Sequence, residues 1–201
     1  MGLLQRVINF VIQRKGVFAM NDIEKNAEEK AFQIIDNLFD LDDRIQNEKF
    51  VIPLGEVAEQ LGIKTLLIDF QEEFKEKPEF AASLKKNKVE GFALRDTKVI
   101  FIDTKSTPGR QRFTVAHEIG HIELNHLESG EFSIACRDSM SSPSKANQEE
   151  IEANAFAAAL LMPEPLVRRA HKITRDVYNL AIYFGVSRQA MERRLKRLGL
   201  S

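Results

Sequence analysis

An α+β fold is what the sequence predicts, and three observations carry it. Two short apolar runs, Val89 to Leu94 and Lys98 to Asp103, flank Arg95-Asp96-Thr97 and read as a β-hairpin. Longer segments on either side repeat their apolar residues at helical rather than alternating spacing. Pro53, Gly62, Pro108 and Pro163 fall at the ends of these segments, where such residues start or stop elements.

Taken in order, residues 1–19 predict an N-terminal amphipathic appendage. Leu3, Leu4, Val7, Ile8, Phe10, Val11 and Ile12 are apolar, Arg6 interrupts them, and Gln13-Arg14-Lys15 closes the stretch. It falls short of the ~20 apolar residues a membrane span needs. It also lacks the charged start and small-residue cleavage site of a signal peptide. Asn21 to about Ile45 predicts one helix, with Ile23, Ala27, Phe32, Ile34, Ile35 and Leu38 on its apolar side. A short helix opens near Pro53 and ends at Gly62, and Ile63 to Phe70, rich in branched residues, predicts a strand. Gln71 to Lys88 is highly charged and reads as a loop with a short helix. After the hairpin, Thr107 as N-cap and Pro108 at the first position begin a helix running to about Leu127. A Ser-rich stretch near Ser139 to Ser144 separates it from a second long helix, Ala146 to Met162. Residues 20–163 are thus the expected main domain, and 164–201 a basic helical segment.

Composition bounds the function. A chain of 201 residues, 43% hydrophobic and 29% charged, fits one globular domain with a small appendage. Its net charge of −1 gives no whole-chain indication of nucleic acid or a membrane surface. The segment from Glu164 to Ser201, however, holds nine Lys/Arg against three Asp/Glu, an asymmetry that raises nucleic-acid binding for that segment alone. Cys136 is the single cysteine, so no internal disulfide forms, which suits a cytoplasmic location. It reads as a small packed hydrophobe before an inhibitory thiolate.

The chemistry is concentrated in His117-Glu118-Ile119-Gly120-His121, an H-E-x-x-H motif within a predicted helix. Residues four apart lie ~40° apart around a helix, so both imidazoles can reach one ion, while Glu118, ~100° round from His117, stands beside it as a general base. Catalytic zinc takes three protein ligands and keeps a position for water. The bland alternative is a helix with two packed histidines and a solvated glutamate. Gly120 argues against it, because a mid-helix glycine costs about 1 kcal/mol unless another backbone comes close.

The third ligand has two kinds of candidate. His126 follows His121 by five residues with Leu124 between them, which does not match the metzincin spacing of six after a glycine. On a continuing helix it would lie ~140° from His121 and pack on the opposite face. Glu152 is preferred: it precedes Ala153, Phe156 and Leu160, the expected inward stripe of an alanine-rich helix that permits close approach. Glu149 is second, and Glu150 is expected to point to solvent.

The blocks Arg112-Phe113-Thr114-Val115-Ala116-His117-Glu118-Ile119-Gly120-His121, Glu152-Ala153-Asn154-Ala155-Phe156-Ala157-Ala158 and Leu160-Leu161-Met162-Pro163, with Phe184-Gly185-Val186-Ser187 beyond, resemble the ImmA/IrrE metallopeptidases. The resemblance is strong over the C-terminal half, covers Ile63 to Asp103 in outline, and does not reach the first fifty residues. It implies a small gluzincin-type zincin, with residues 20–163 as the peptidase domain, zinc as cofactor and Glu152 as third ligand. It also implies a protein substrate, a DNA-binding transcriptional repressor of a stress response or mobile element. One departure is that Phe156 stands where wider gluzincins place an acid four residues after the third ligand, so the partners orienting His117 and His121 stay open.

Beyond Pro163, Asp176 to Phe184, Gly185-Val186-Ser187 and Arg188 to Leu198 read as helix, turn, helix with Ser187 as N-cap. Arg188, Arg193, Arg194, Lys196 and Arg197 cluster on the second helix. A helical pair that closes the peptidase core, with a solvated basic face, is preferred to a DNA-binding element, since the segment is too short for a core of its own. Tyr178 and Tyr183, the only tyrosines, are equally oxyanion donors or core residues. Two functions compete with the peptidase: a zinc-binding transcriptional regulator that cuts nothing, and a toxin–antitoxin-type interaction module. Glu118 favours the peptidase, because a non-catalytic zinc site needs no base there.

Overall fold

The structure, a computed structural model, describes residues 22–94, 96–126, 135–136 and 145–200. The expected appendage at 1–19, the Ser-rich stretch and the Cys136 side chain lie outside the described residues.

The long N-terminal helix divides in two, Asp22–Leu38 (α1) and Leu41–Gln46 (α2). Asp40 makes the break. Its backbone is extended and its carboxylate accepts from the Asp43 N–H at 3.0 Å, an N-cap that starts a new helix. Leu54–Gln60 (α3) follows Pro53 and closes through Gly62, whose φ of 67° turns the chain into the sheet. Lys64–Ile68 is β1. Asp69 then accepts from the N–H groups of Gln71 and Glu72 to cap Phe70–Glu73 (α4), and Pro78 opens Pro78–Lys86 (α5). The charged segment expected as mostly loop is therefore mostly helical.

Val89–Leu94 (β2) and Val99–Asp103 (β3) form the expected antiparallel hairpin, with Phe92 opposite Phe101 and Ala93 opposite Ile100. Strand β1 runs parallel to β3, and Ala135–Cys136 (β4) borders β2 at Val89 and Gly91. The order β1-β3-β2-β4 puts the hairpin inside the sheet. An extended peptide could not add along β3, which has a neighbour on each side. Alternation divides the sheet's faces: Ala93, Ile100 and Ile102 join the main core, while Phe92 and Phe101 stack at 4.9 Å beside Phe70 and Leu84 in a smaller aromatic one.

Four further long or medium helices complete the fold: Pro108–Glu123 (α6), Lys145–Leu161 (α7), Glu164–Ile173 (α8) and Val177–Phe184 (α9), followed by Arg188–Arg197 (α10). Helix α6 packs on β2, β3 and α7, and α7 packs along α1. From Ala116 to Ile122 every residue of α6 is buried, so this helix runs through the core rather than over it. Two glycines permit that. A Cβ on Gly91 would stand 2.5 Å from Thr114 Cγ2, and one on Gly120 would stand 3.3 Å from the Ala153 Cα and 3.1 Å from Phe156 Cδ1. The close backbone approach expected at Gly120 is there, and Ala153 makes it.

The change of composition at Pro163 does not begin a separate core. Leu166, Val167, Leu180, Phe184, Met191 and Leu195 share one hydrophobic cluster with Ile35, Ile119 and Phe156. Arg194, expected on a basic face, is instead buried: its Nη1 donates to Glu28 of α1 at 2.9 Å and its Nε to the Met162 carbonyl at 3.0 Å. Arg197 reaches Glu24 at 2.9 Å and Glu28 at 2.5 Å. Ser187 caps α10 as expected, accepting from the Ala190 N–H, after Gly185 closes α9 with a φ of 62°. Among the described residues no helix is long and apolar enough to cross a membrane.

Candidate metal centre

Helix α6 supplies three of the candidate residues. His117 and His121 are each 3% exposed and Glu118 is 0% exposed, so none is a solvated helix-surface residue. One turn of helix brings the two Nε2 atoms to 3.0 Å from each other. The third group comes from α7, and it is Glu150: its carboxylate oxygens stand 3.4 Å from His117 Nε2 and 3.2 Å from His121 Nε2. Burial alone would raise the Glu150 carboxyl, but hydrogen bonding to His117 and His121 and their charge outweigh it and hold it well below the usual carboxylate range.

Glu152 is not at this cluster. Its Oε2 lies 2.6 Å from His126 Nε2, and its Oε1 accepts from Gln148 Nε2 at 3.3 Å. The structure thus brings Glu150, expected to face solvent, to the two histidines in the place expected for Glu152. Each of the two glutamates precedes by one turn a residue that packs on Gly120: Glu150 before Ala153, and Glu152 before Phe156. They are ~200° apart around the helix and so occupy opposite edges of the same contact face. The sequence stripe marks that face without saying which edge meets the histidines; the crossing of α7 over α6 decides it.

His126 is also corrected. Helix α6 ends at Glu123, and Asn125 takes a left-handed φ of 58°, a conformation asparagine tolerates better than most residues. The chain folds back so that the His126 N–H donates to the His121 carbonyl at 3.0 Å. Its ring Nδ1 then lies 3.1 Å from His121 Nδ1. Burial lowers the His126 pKa from the ordinary histidine value, with the Glu152 hydrogen bond opposing it. The tyrosines lie elsewhere: Tyr183 stacks on Phe50 at 5.5 Å, and Tyr178 is 64% exposed.

The donor set fits a metal. His117, His121 and Glu150 each offer a ligand atom, all within 4.8 Å of one another. A tetrahedral zinc with ligands at ~2.0–2.1 Å has ligand–ligand edges of about 3.3 Å. The two Nε2 atoms at 3.0 Å, and the Glu150 oxygens Oε1 at 3.2 Å from His121 and Oε2 at 3.4 Å from His117, are spaced close to that value. Two imidazoles and a carboxylate are also a borderline-to-hard donor set suited to a divalent transition metal.

The chain is 41% identical to the radiation response metalloprotease IrrE of Deinococcus radiodurans over 69 residues, 34% of this chain and 20% of that protein. A Mycobacterium tuberculosis transcriptional regulator superposes with a TM-score of 0.53 at 19% identity, covering 89% of this chain and 48% of that one, a likeness of fold. The chain thus spans a fifth of one relative and about half of the other. The model of the IrrE N-terminal-like domain, a peptidase family, matches residues 58–196, and the chain belongs to that family.

Proposed function

We propose that this chain is a zinc-dependent endopeptidase of the gluzincin type, with His117, His121 and Glu150 as metal ligands and Glu118 as general base. The observation that carries the reading is the convergence of three electron-pair donors from two helices beside a wholly buried glutamate. A zinc ion held by the three would supply a Lewis acid and lower the pKa of a water at the site to about 7. Glu118 is placed to accept a proton from the attacking water and to return it to the leaving amine. Its burial in α6 keeps the carboxylate apart from bulk solvent, so the proton it takes is retained for the leaving group. Membership of a peptidase family and the metalloprotease relative support a protein substrate. The substrate class we favour is the DNA-binding transcriptional repressor that the ImmA/IrrE resemblance implies, which places the reaction in the cytoplasm.

The test is incubation of the purified chain with the repressor encoded beside it, with added zinc, with chelator, and with Glu118→Gln. Cleavage should need zinc and be lost in both other arms. Cleavage that survives chelation or the Gln variant would sink the mechanism, and an intact repressor in the zinc arm would sink the substrate.

A further inference from the structure

His126 and Glu152 stand outside the ligand set, yet they are joined to it atom by atom. An ionised carboxylate only accepts hydrogen bonds. With Glu152 Oε2 at 2.6 Å, His126 Nε2 therefore carries the proton of that contact. A neutral imidazole protonated at Nε2 is bare at Nδ1. That bare Nδ1 faces His121 Nδ1 at 3.1 Å, so the hydrogen between them belongs to His121. The His121 Nε2, which meets His117 Nε2 at 3.0 Å and Glu150 Oε1 at 3.2 Å, is then the ring nitrogen that faces the cluster, where a metal would take the place of a proton. A metal needs the lone pair there. A histidine ligand is ordinarily set in tautomer and orientation by the partner of its other nitrogen.

We propose that Glu152 and His126 act as a positioning couple that fixes His121 in the Nδ1–H tautomer and aims its Nε2 at the metal. The proposal rests on the metal-site reading above. The local backbone is consistent with the role. Asn125 accepts a left-handed conformation to fold His126 back, and the His126 N–H is anchored on His121's own carbonyl. His126 is 5% exposed at its side chain, so the ring is committed to this contact. His117 lacks an equivalent: its Nδ1 is buried with no hydrogen-bond partner among the described residues. The two histidines of the motif are therefore supported unequally, and His121 is the one held from behind. Glu152 thus orients the site without ligating.

Two measurements on the full chain decide it. The first is the ring-nitrogen NMR spectrum of the metal-free wild type, which reports the His121 tautomer directly. We expect a proton on His121 Nδ1; a ring bare at Nδ1 would overturn the proposal whatever any variant does. The second is zinc affinity by chelator competition for the wild type, His126→Leu, Glu152→Ala and Glu152→Gln. The Leu and Ala variants should lose ~10–100-fold, the range for an outer partner of a ligand, and Gln, whose amide oxygen still accepts from His126, should recover most of it. Wild-type affinity in both His126→Leu and Glu152→Ala would overturn the couple. A wild type that binds no zinc would instead defeat the peptidase reading, while the tautomer spectrum still judges the couple.

Discussion

Two buried polar clusters lie in this fold, and they differ in what completes them. Under α10, Arg194 and Arg197 meet Glu24, Glu28 and the Met162 carbonyl, so positive and negative groups answer one another within the protein. Between α6 and α7, His117, His121 and Glu150 bring three electron-pair donors to one point. That arrangement is complete only when a cation, a proton or a metal, enters it. On the proposed function the first cluster is structural and the second chemical, although both join residues of separate helices. Burial of charge alone does not separate a brace from an active site; the balance of donors and acceptors does.

The sharpest break of this comparison is at the base. Glu118→Gln keeps size and shape and leaves the three ligands in place, so zinc content and folding should match wild type. Peptide hydrolysis should fall by ~10²–10⁴-fold, the contribution of a positioned proton acceptor. Rates within a few-fold of wild type, with zinc retained, would remove the chemical reading of the cluster. At the ligand itself, Glu150→Ala should lose more zinc affinity than the ~10–100-fold expected of an outer partner. Elemental analysis of Glu150→Ala beside Glu152→Ala tests the order: greater loss in the second would restore Glu152 as the ligand.

The structural cluster should respond in stability instead. Arg194→Ala removes one of the two arginines on Glu28 and leaves only Arg197 there, so the cost should approach the ~3–5 kcal/mol of breaking a buried pair. A fall in unfolding free energy of that size, with zinc affinity of the surviving folded protein unchanged, would separate the two clusters by experiment. Denaturant titration with a chelator assay reads both. A milder perturbation lies between them: Gly91→Ala puts a methyl against Thr114 Cγ2 and the Phe101 carbonyl. Overpacking of this kind costs ~1–3 kcal/mol, and because Thr114 sits one turn before Glu118 on α6, activity should fall along with stability.

The same contrast explains what could be read in the sequence. The H-E-x-x-H motif is contiguous, so helix geometry alone joins His117 to His121 and sets Glu118 beside them. The runs Val89 to Leu94 and Lys98 to Asp103, joined by Arg95-Asp96-Thr97, marked the hairpin for the same reason: the information is local. Glu150 was not legible, because Glu150 and Glu152 flank one packing face and only the crossing angle of α7 on α6 distinguishes the edges. His126 depended on where α6 stops, and the stop is made by Asn125 at a left-handed φ rather than by a glycine that would have announced it. Arg194 was hidden among four other basic residues of one helix, and what singles it out is Glu28, 166 residues away. Long-range pairing of this kind leaves no periodic trace.

The smallest expected effect concerns the basic residues that the structural cluster does not use. Arg188 pairs with Glu192 at 2.8 Å along its own helix, and Arg193 and Lys196 are exposed. Reversing Arg193 and Lys196 to glutamate should change stability by no more than about 0.5 kcal/mol, as for exposed sites without special contacts. Arg197 is unsuitable for such a test, since it is tied to Glu24 and Glu28. If α10 bound duplex DNA, the affinity would fall steeply with salt, with a log–log slope of ~0.9 for each phosphate neutralised, and the double reversal would abolish it. With Arg194 and Arg197 turned inward, few cations remain to meet phosphates, so we expect weak, salt-insensitive duplex binding in wild type. Cleavage of the repressor should then fall in the double variant while hydrolysis of a short unstructured peptide holds, as for a rim that docks a folded substrate. A tight, salt-dependent duplex complex lost on reversal would reassign the outer face of α10 to nucleic acid and leave only its inner face to the brace.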